Sequence, residues 1–323
     1  MTDWTFTVSF DYPSHDGRST VNAQLWMDYR FGLEGEDAIQ PKGVLQFIHG
    51  MTEHIERYDD YARYFVERGF VVCAEDHIGH GHTVPSREEL GHLPVNGKQI
   101  VLDDIHTLYT MVHQSFPDLP YVMYGHSMGS LILRAYIARF GTDLDAVVLS
   151  ATHNGPFAVS LAGQALARTM ALFKGDQYRS QFFYNQSLGD YSEQIENART
   201  QLDWLTHDED IIDGFLTDEL SNFNLTVGGF ATLLDITGEV VTKGSASRIP
   251  KELPMLIVGG DGDPMGEYGK ALQDAYGLYQ AMGMENVDLK IYEGMRHEVH
   301  NEVGREQVYE EIADWIEEHI PSA

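Results

Sequence analysis

Tyr121-Val122-Met123-Tyr124-Gly125-His126-Ser127-Met128-Gly129-Ser130-Leu131 changes its period within a few residues. Up to Tyr124 it is a short apolar run of strand type, and from Leu131 to Phe140 it continues as an apolar helix. Between the two lies the pattern G-x-S-x-G, centred on Ser127. A strand-to-helix turn this tight leaves no room for side chains two residues before and two after the serine, and Gly125 and Gly129 meet that need. The helix that follows aims its N-terminal amides at the serine, which favours an oxyanion formed beside it. The stretch therefore predicts a nucleophilic Ser127 on a strand–turn–helix.

Working outward, the same alternation recurs. Apolar runs of strand type lie at Val44 to Ile48, Phe70 to Ala74, Ala146 to Leu149 and Met255 to Val258, with helical segments between them. One helix carries Val101, Ile105, Leu108, Tyr109, Val112 and Phe116 at helical spacing; the last carries Val308, Ile312, Trp315, Ile316 and Ile320. Strands alternating with helices predict an α/β fold with a mostly parallel central sheet covered by helices. The chain opens differently. Trp4, Phe6, Val8 and Phe10 alternate with polar residues, and Asp16-Gly17 turns into Val21 to Tyr29, which reads as an antiparallel hairpin. From Asn154 to Arg248 the alternation lapses into helix-like stretches such as Leu161 to Phe173 and Asp203 to Phe215. The expected organisation is a core over 1–153, a mainly helical cap inserted over 154–248, and the rest of the core over 249–323.

A serine hydroxyl attacks only when an imidazole takes its proton, and that imidazole needs a carboxylate to hold its tautomer. Nucleophile elbows of this type order the partners serine, acid, histidine along the chain. Ser150-Ala151-Thr152-His153-Asn154 offers no carboxylate, so the acid is expected after Val258, in Gly259-Gly260-Asp261-Gly262-Asp263-Pro264. Asp263 is preferred and Asp261 is its rival. His297, in Glu293-Gly294-Met295-Arg296-His297, follows the strand-like Val287 to Tyr292 and precedes the last helix; His300 is the alternative. The tetrahedral intermediate needs two backbone N–H donors, expected from Met128 and from Met51 in His49-Gly50-Met51 after the third strand.

The composition narrows the partners. Lys plus Arg total 21 against 50 Asp plus Glu, a formal charge of −29, which argues against nucleic acid and against anionic lipid heads. Cys73 is the only cysteine and lies in an apolar run, so no intrachain disulfide is expected and the thiol reads as buried and inert. Asp76-His77-Ile78-Gly79-His80-Gly81-His82 is rich in histidine, and Asp261-Gly262-Asp263 has a D-x-D pattern, but neither brings a zinc or calcium ligand set, so no metal and no cofactor are expected. No signal peptide and no transmembrane run are read from the sequence, which points to a cytoplasmic protein with at most transient membrane contact through the cap.

His49-Gly50-Met51-Thr52-Glu53-His54, Arg57-Tyr58, Asp76-His77-Ile78-Gly79-His80-Gly81, Gly125-His126-Ser127-Met128-Gly129 and Tyr292-Glu293-Gly294 leading to His297 together resemble the monoacylglycerol lipase and lysophospholipase group of α/β-hydrolases. The resemblance spans essentially the whole sheet portion. It implies the α/β-hydrolase fold, a cap between the sixth and seventh strands, Asp263 as the acid, and Glu53, Arg57 and His300 beside a glycerol-like leaving group. The implied activity is hydrolysis of a monoacylglycerol or lysophospholipid-like monoester, with Phe157, Leu161, Leu166, Met170 and Phe173 as candidate walls of an acyl tunnel. Alternatives are a general carboxylesterase or a proline-type aminopeptidase, whose free-amine substrate would need acidic residues such as Glu53 or Asp208-Glu209-Asp210.

Overall fold

The computed structural model describes residues 4–33, 35, 38–187 and 191–321. Its eight strands are β1 (Thr5–Pro13), β2 (Thr20–Asp28), β3 (Gly43–Ile48), β4 (Phe70–Glu75), β5 (Tyr121–His126), β6 (Ala146–Ser150), β7 (Met255–Gly260) and β8 (Val287–Tyr292). They form one sheet in the order β1-β2-β4-β3-β5-β6-β7-β8. β1 and β2 are the antiparallel hairpin, β2 meets β4 antiparallel, and every later pairing is parallel. This is the α/β-hydrolase architecture. The order places the serine strand β5 at the centre, so the turn at its carboxyl end opens above the sheet between two neighbours.

Helices α1 (Asp59–Glu67), α2 (Lys98–Ser115) and α3 (Met128–Phe140) connect the first parallel strands. Residues of β3 to β7 are fully buried, as expected for strands covered on both faces. Each face has its own core. Ile105, Leu108, Ile132, Leu133 and Ile257 lie in one, and Phe47, Tyr61, Phe65, Val258, Ile312 and Ile316 lie in the other. Cys73 is buried, and burial pushes its thiol up to about 12, which leaves it protonated and unreactive.

Between β6 and β7 run α4 (Phe157–Lys174), α5 (Gln181–Ser187), α6 (Glu209–Thr217), α7 (Val227–Val240) and α8 (Lys243–Ala246), followed after β7 by α9 (Lys270–Ala281) and after β8 by α10 (Arg305–His319). The helix expected from Asp203 starts only at Glu209. Asp208 is its N-cap, accepting from the amides of Asp210 and Ile211, and residues 203–208 have another use, described below. Helix α7 packs against the sheet portion of the chain. Its Ala231, Ile236 and Val240 join the same core as α2 and α3, so the inserted segment is anchored through the sheet's own packing.

Candidate active site

Ser127 sits at φ 51° and ψ −117°, a strained conformation for a residue with a side chain, held between β5 and α3. The glycines around it are there for space. A Cβ on Gly129 would lie 2.0 Å from the carbonyl oxygen of Ile48, and one on Gly125 would lie 2.5 Å from that of Gly129. The Ser127 amide donates to Ser150 O at 2.9 Å, tying the turn to the neighbouring strand.

His297 and Asp263 are brought to this turn from the loops after β8 and β7. His297 Nε2 lies 3.0 Å from Ser127 Oγ, and its Nδ1 lies 2.7 Å from Asp263 Oδ2. The other oxygen of Asp263 accepts from the Met265 amide at 2.9 Å, so the carboxylate is fixed on both sides. Burial alone would lower the His297 pKa, but the Asp263 charge and hydrogen bond, with Glu298 and Glu53 nearby, raise it above the usual imidazole value. Asp261 is exposed and points elsewhere. It accepts from the Gly294 amide at 2.6 Å and braces the β8–α10 loop from outside.

Two small cavities flank Ser127. One, of about 30 Å³, is bordered by Glu53, His126, Trp204, Phe215, Asn222 and Glu298 among others; the second, of about 60 Å³, is bordered by Met51, Met128, Leu131, Leu233 and Met265. One side is mixed and partly charged, the other mainly apolar. Together they have room for only a few waters, and Ser127 between them is half-buried. Met51 borders both. As the first residue of α3, Met128 carries an amide that no carbonyl of its own helix can accept.

Glu53 and Arg57 are not a surface pair. Arg57 is sandwiched between Glu53 and Glu298, donating to Glu298 at 2.8 and 3.1 Å, and its guanidinium lies 4.4 Å from the Phe215 ring of α6. Glu53 also accepts from the Gly50 amide and from the Tyr58 hydroxyl. Burial and the Glu298 charge push the Glu53 carboxyl up against the pull of Arg57. Arg57 overcomes burial at Glu298 and holds that carboxyl down at about 2.

His300 does not border either cavity. It is fully buried behind His126, stacked on Tyr58 at 5.1 Å between ring centres, with Nδ1 3.3 Å from the Tyr124 hydroxyl. Burial lowers its pKa to about 3, so it is neutral. The sequence marked its spacing from His297 but not the depth of the pocket of aromatic rings that takes it. Residues missed by sequence reasoning include His126, Asn222 and Met265, which border the cavities; only the position of His126 inside the elbow signalled it.

The acyl-tunnel expectation for α4 fails. Phe157 is 50%, Leu161 51%, Leu166 38% and Phe173 85% exposed, and only Met170 packs partly inward. Helical spacing identified one apolar face but could not say that it points outward. The apolar walls come instead from α3, α7 and the loop after β7. Two histidines of the 76–82 stretch pack against His49: His77 stacks on its ring at 4.0 Å between centres, and His80 lies tilted at 5.2 Å. Among the described residues no group of three or more His, Cys, Asp or Glu is placed to hold a metal ion.

Residues 39–304 match the family described as Hydrolase_4, serine aminopeptidase, S33. The chain is 29% identical over 285 residues to the monoacylglycerol lipase of Mycolicibacterium smegmatis, covering 87% of this chain and 90% of that protein. It is 25% identical over 315 residues to the monoglyceride lipase of Mus musculus, covering 96% and 93%. Among solved structures it superposes with TM-score 0.88 and 30% identity on a thermostable carboxyl esterase from Bacillus coagulans in complex with glycerol, covering 98% of this chain and 99% of that one. With the family matched over most of its length, the chain belongs to Hydrolase_4, in the monoacylglycerol lipase group of α/β-hydrolases.

Proposed function

We propose that the protein hydrolyses carboxylic esters through an acyl-Ser127 intermediate, with monoacylglycerols or related lipid monoesters as preferred substrates. The observation that carries this reading is the relay Asp263–His297–Ser127, joined at 2.7 and 3.0 Å and opening onto a mixed, partly charged cavity on one side and a mainly apolar one on the other.

Ser127 Oγ attacks the ester carbonyl carbon while His297 Nε2 takes its proton, and Asp263 steadies the imidazolium. The Met51 and Met128 amides receive the oxyanion. Collapse expels the alcohol, which takes the proton from His297; water then attacks the acyl-serine, passing its proton to the same nitrogen, and the second collapse returns that proton to Ser127 Oγ as the carboxylic acid leaves. The acyl group takes the side of Leu131, Leu233 and Met265, and the small polyol takes the side of His126 and Glu53.

A peptidase gripping a free amine is the weaker reading, because the carboxylates nearest Ser127, and Asp208 of the acidic cluster, are already engaged. Glu53 and Glu298 share Arg57, and Asp208 caps α6 and bonds Arg305 at 2.9 Å. The test is kcat/KM on purified protein for monoacylglycerols of increasing chain length, triacylglycerols and amino-acid amides. Monoesters should lead, with a maximum at intermediate length; a flat profile, or amides at the rate of esters, rejects the reading.

A further inference from the structure

The loop that carries His297 is bonded to a segment of the inserted helices more than ninety residues away in sequence. The His297 amide points at Trp204 O at 3.5 Å, and the Glu298 amide donates to Leu205 O at 2.8 Å, so residues 204–205 and 297–298 pair edge to edge. The Arg296 guanidinium donates to the carbonyls of Asp203 and Thr206 at 2.6 and 3.0 Å, and the Thr206 hydroxyl donates to Asn301 O at 2.9 Å. The Trp204 ring rests 4.9 Å from the His297 ring.

One carboxylate joins both segments. Glu302, only 1% exposed, accepts from the Arg296 amide at 2.7 Å and from the His207 amide at 3.1 Å. It also accepts from the Val303 amide at 3.1 Å and from His207 Nδ1 at 3.0 Å; because a carboxylate only accepts, Nδ1 carries the proton. A buried carboxylate with donors from both sides of a junction fixes their relative position, since each bond is short, directional and charge-assisted.

We infer that Glu302 is a positioning residue for His297: it clamps the loop 296–302 to residues 203–208, so that the imidazole is aimed at Ser127. It touches neither substrate nor the reacting atoms. The inference rests on the proposed Ser127–His297–Asp263 relay, and the experiment separates the two.

The variants are Glu302→Gln, which puts an N–H₂ among N–H donors, and Arg296→Met, which keeps the 296 amide but removes the two guanidinium bonds. For each, kcat and KM on a short soluble p-nitrophenyl ester are measured per active site, with sites counted by fluorophosphonate labelling taken to completion, and Tm is recorded. Loss of alignment should lower kcat per site by about 100-fold in Glu302→Gln, with KM unchanged and the labelling rate falling in parallel. A smaller kcat-only loss is expected in Arg296→Met. Full kcat per titrated site, with only a lower Tm, overturns the inference and leaves Glu302 a stabilising residue. If Glu302→Gln does not fold, Arg296→Met decides by the same criterion. Ser127→Ala is the control: a mutant that still turns over the ester defeats the relay itself, whereas an inactive one beside an unimpaired Glu302→Gln defeats only the clamp.

Discussion

Ser127, His297 and Asp263 carry the sharpest residue-scale expectations. Ser127→Ala removes one buried-edge oxygen and no packing, so esterase turnover should vanish while Tm stays near wild type. Asp263→Asn should lower kcat by about 10³–10⁴-fold through loss of the tautomer-fixing acceptor, while Asp261→Asn should cost little; a larger kcat loss in Asp261→Asn would reverse the assignment. The raised His297 pKa has a defined consequence. The imidazole must be neutral to act as base, so kcat/KM should fall as pH drops through a value above about 6.5. In folding, the sign is opposite: the protonated histidine contributes stability that is present below about 6.5 and lost as pH rises through the folded value. Glu298→Gln removes a nearby negative charge and should move the acidic limb of the kcat/KM profile to lower pH.

The elbow glycines and the buried ion cluster set the behaviour of elements. Gly129 is the contact point of α3 on β3, and a Cβ there would meet backbone that cannot rotate away. Gly129→Ala should therefore destabilise by more than the about 1–3 kcal/mol of ordinary overpacking, seen as a large fall in Tm or loss of soluble protein. Arg57 links the β3–α1 loop, the histidine loop and α6. Arg57→Ala leaves two buried carboxylates facing each other, and the expected cost is about 3–5 kcal/mol by urea unfolding at neutral pH. That loss should shrink as pH falls and the raised Glu53 carboxyl, the easier of the two to neutralise, takes up a proton.

At the scale of the whole molecule, charge and apolar surface oppose each other. The chain carries −29 formal charges, yet Leu172 and Phe173 at the end of α4 are 84% and 85% exposed, with Val159, Leu161 and Phe182 also open to solvent. No described helix is long and apolar enough to cross a membrane. On physical grounds such a surface is expected to touch neutral lipid briefly and to be repelled by anionic lipid. Leu172→Ser combined with Phe173→Ser should lower activity on monoacylglycerol dispersed in zwitterionic vesicles while leaving a soluble short-chain ester unaffected. With anionic vesicles, wild-type activity should rise with added salt as screening shortens the repulsion. An equal loss on both substrates would place these side chains in the fold rather than at the lipid.

Local signals in the sequence were enough for the strands, the hairpin and the elbow. Alternation, apolar runs and two obligatory glycines are short-range properties, and they located every parallel strand and the turn that holds Ser127. Chain order also narrowed the acid to Asp261 or Asp263 and the base to His297 or His300, because loops at the carboxyl ends of parallel strands converge by topology, and the family resemblance favoured Asp263. What only the tertiary structure decided was direction. Phe157 and Phe173 share helical spacing with buried residues yet face outward, His300 is three residues from His297 yet lies behind a stack of aromatic rings, and Asp261 is two residues from Asp263 yet faces solvent. Nothing local marked Glu302 as a bridge, because its partner across the junction, His207, stands 95 positions earlier. Periodicity reports that a side has one character; which neighbour it meets depends on packing between segments distant in sequence, and one chain read residue by residue contains no term for that.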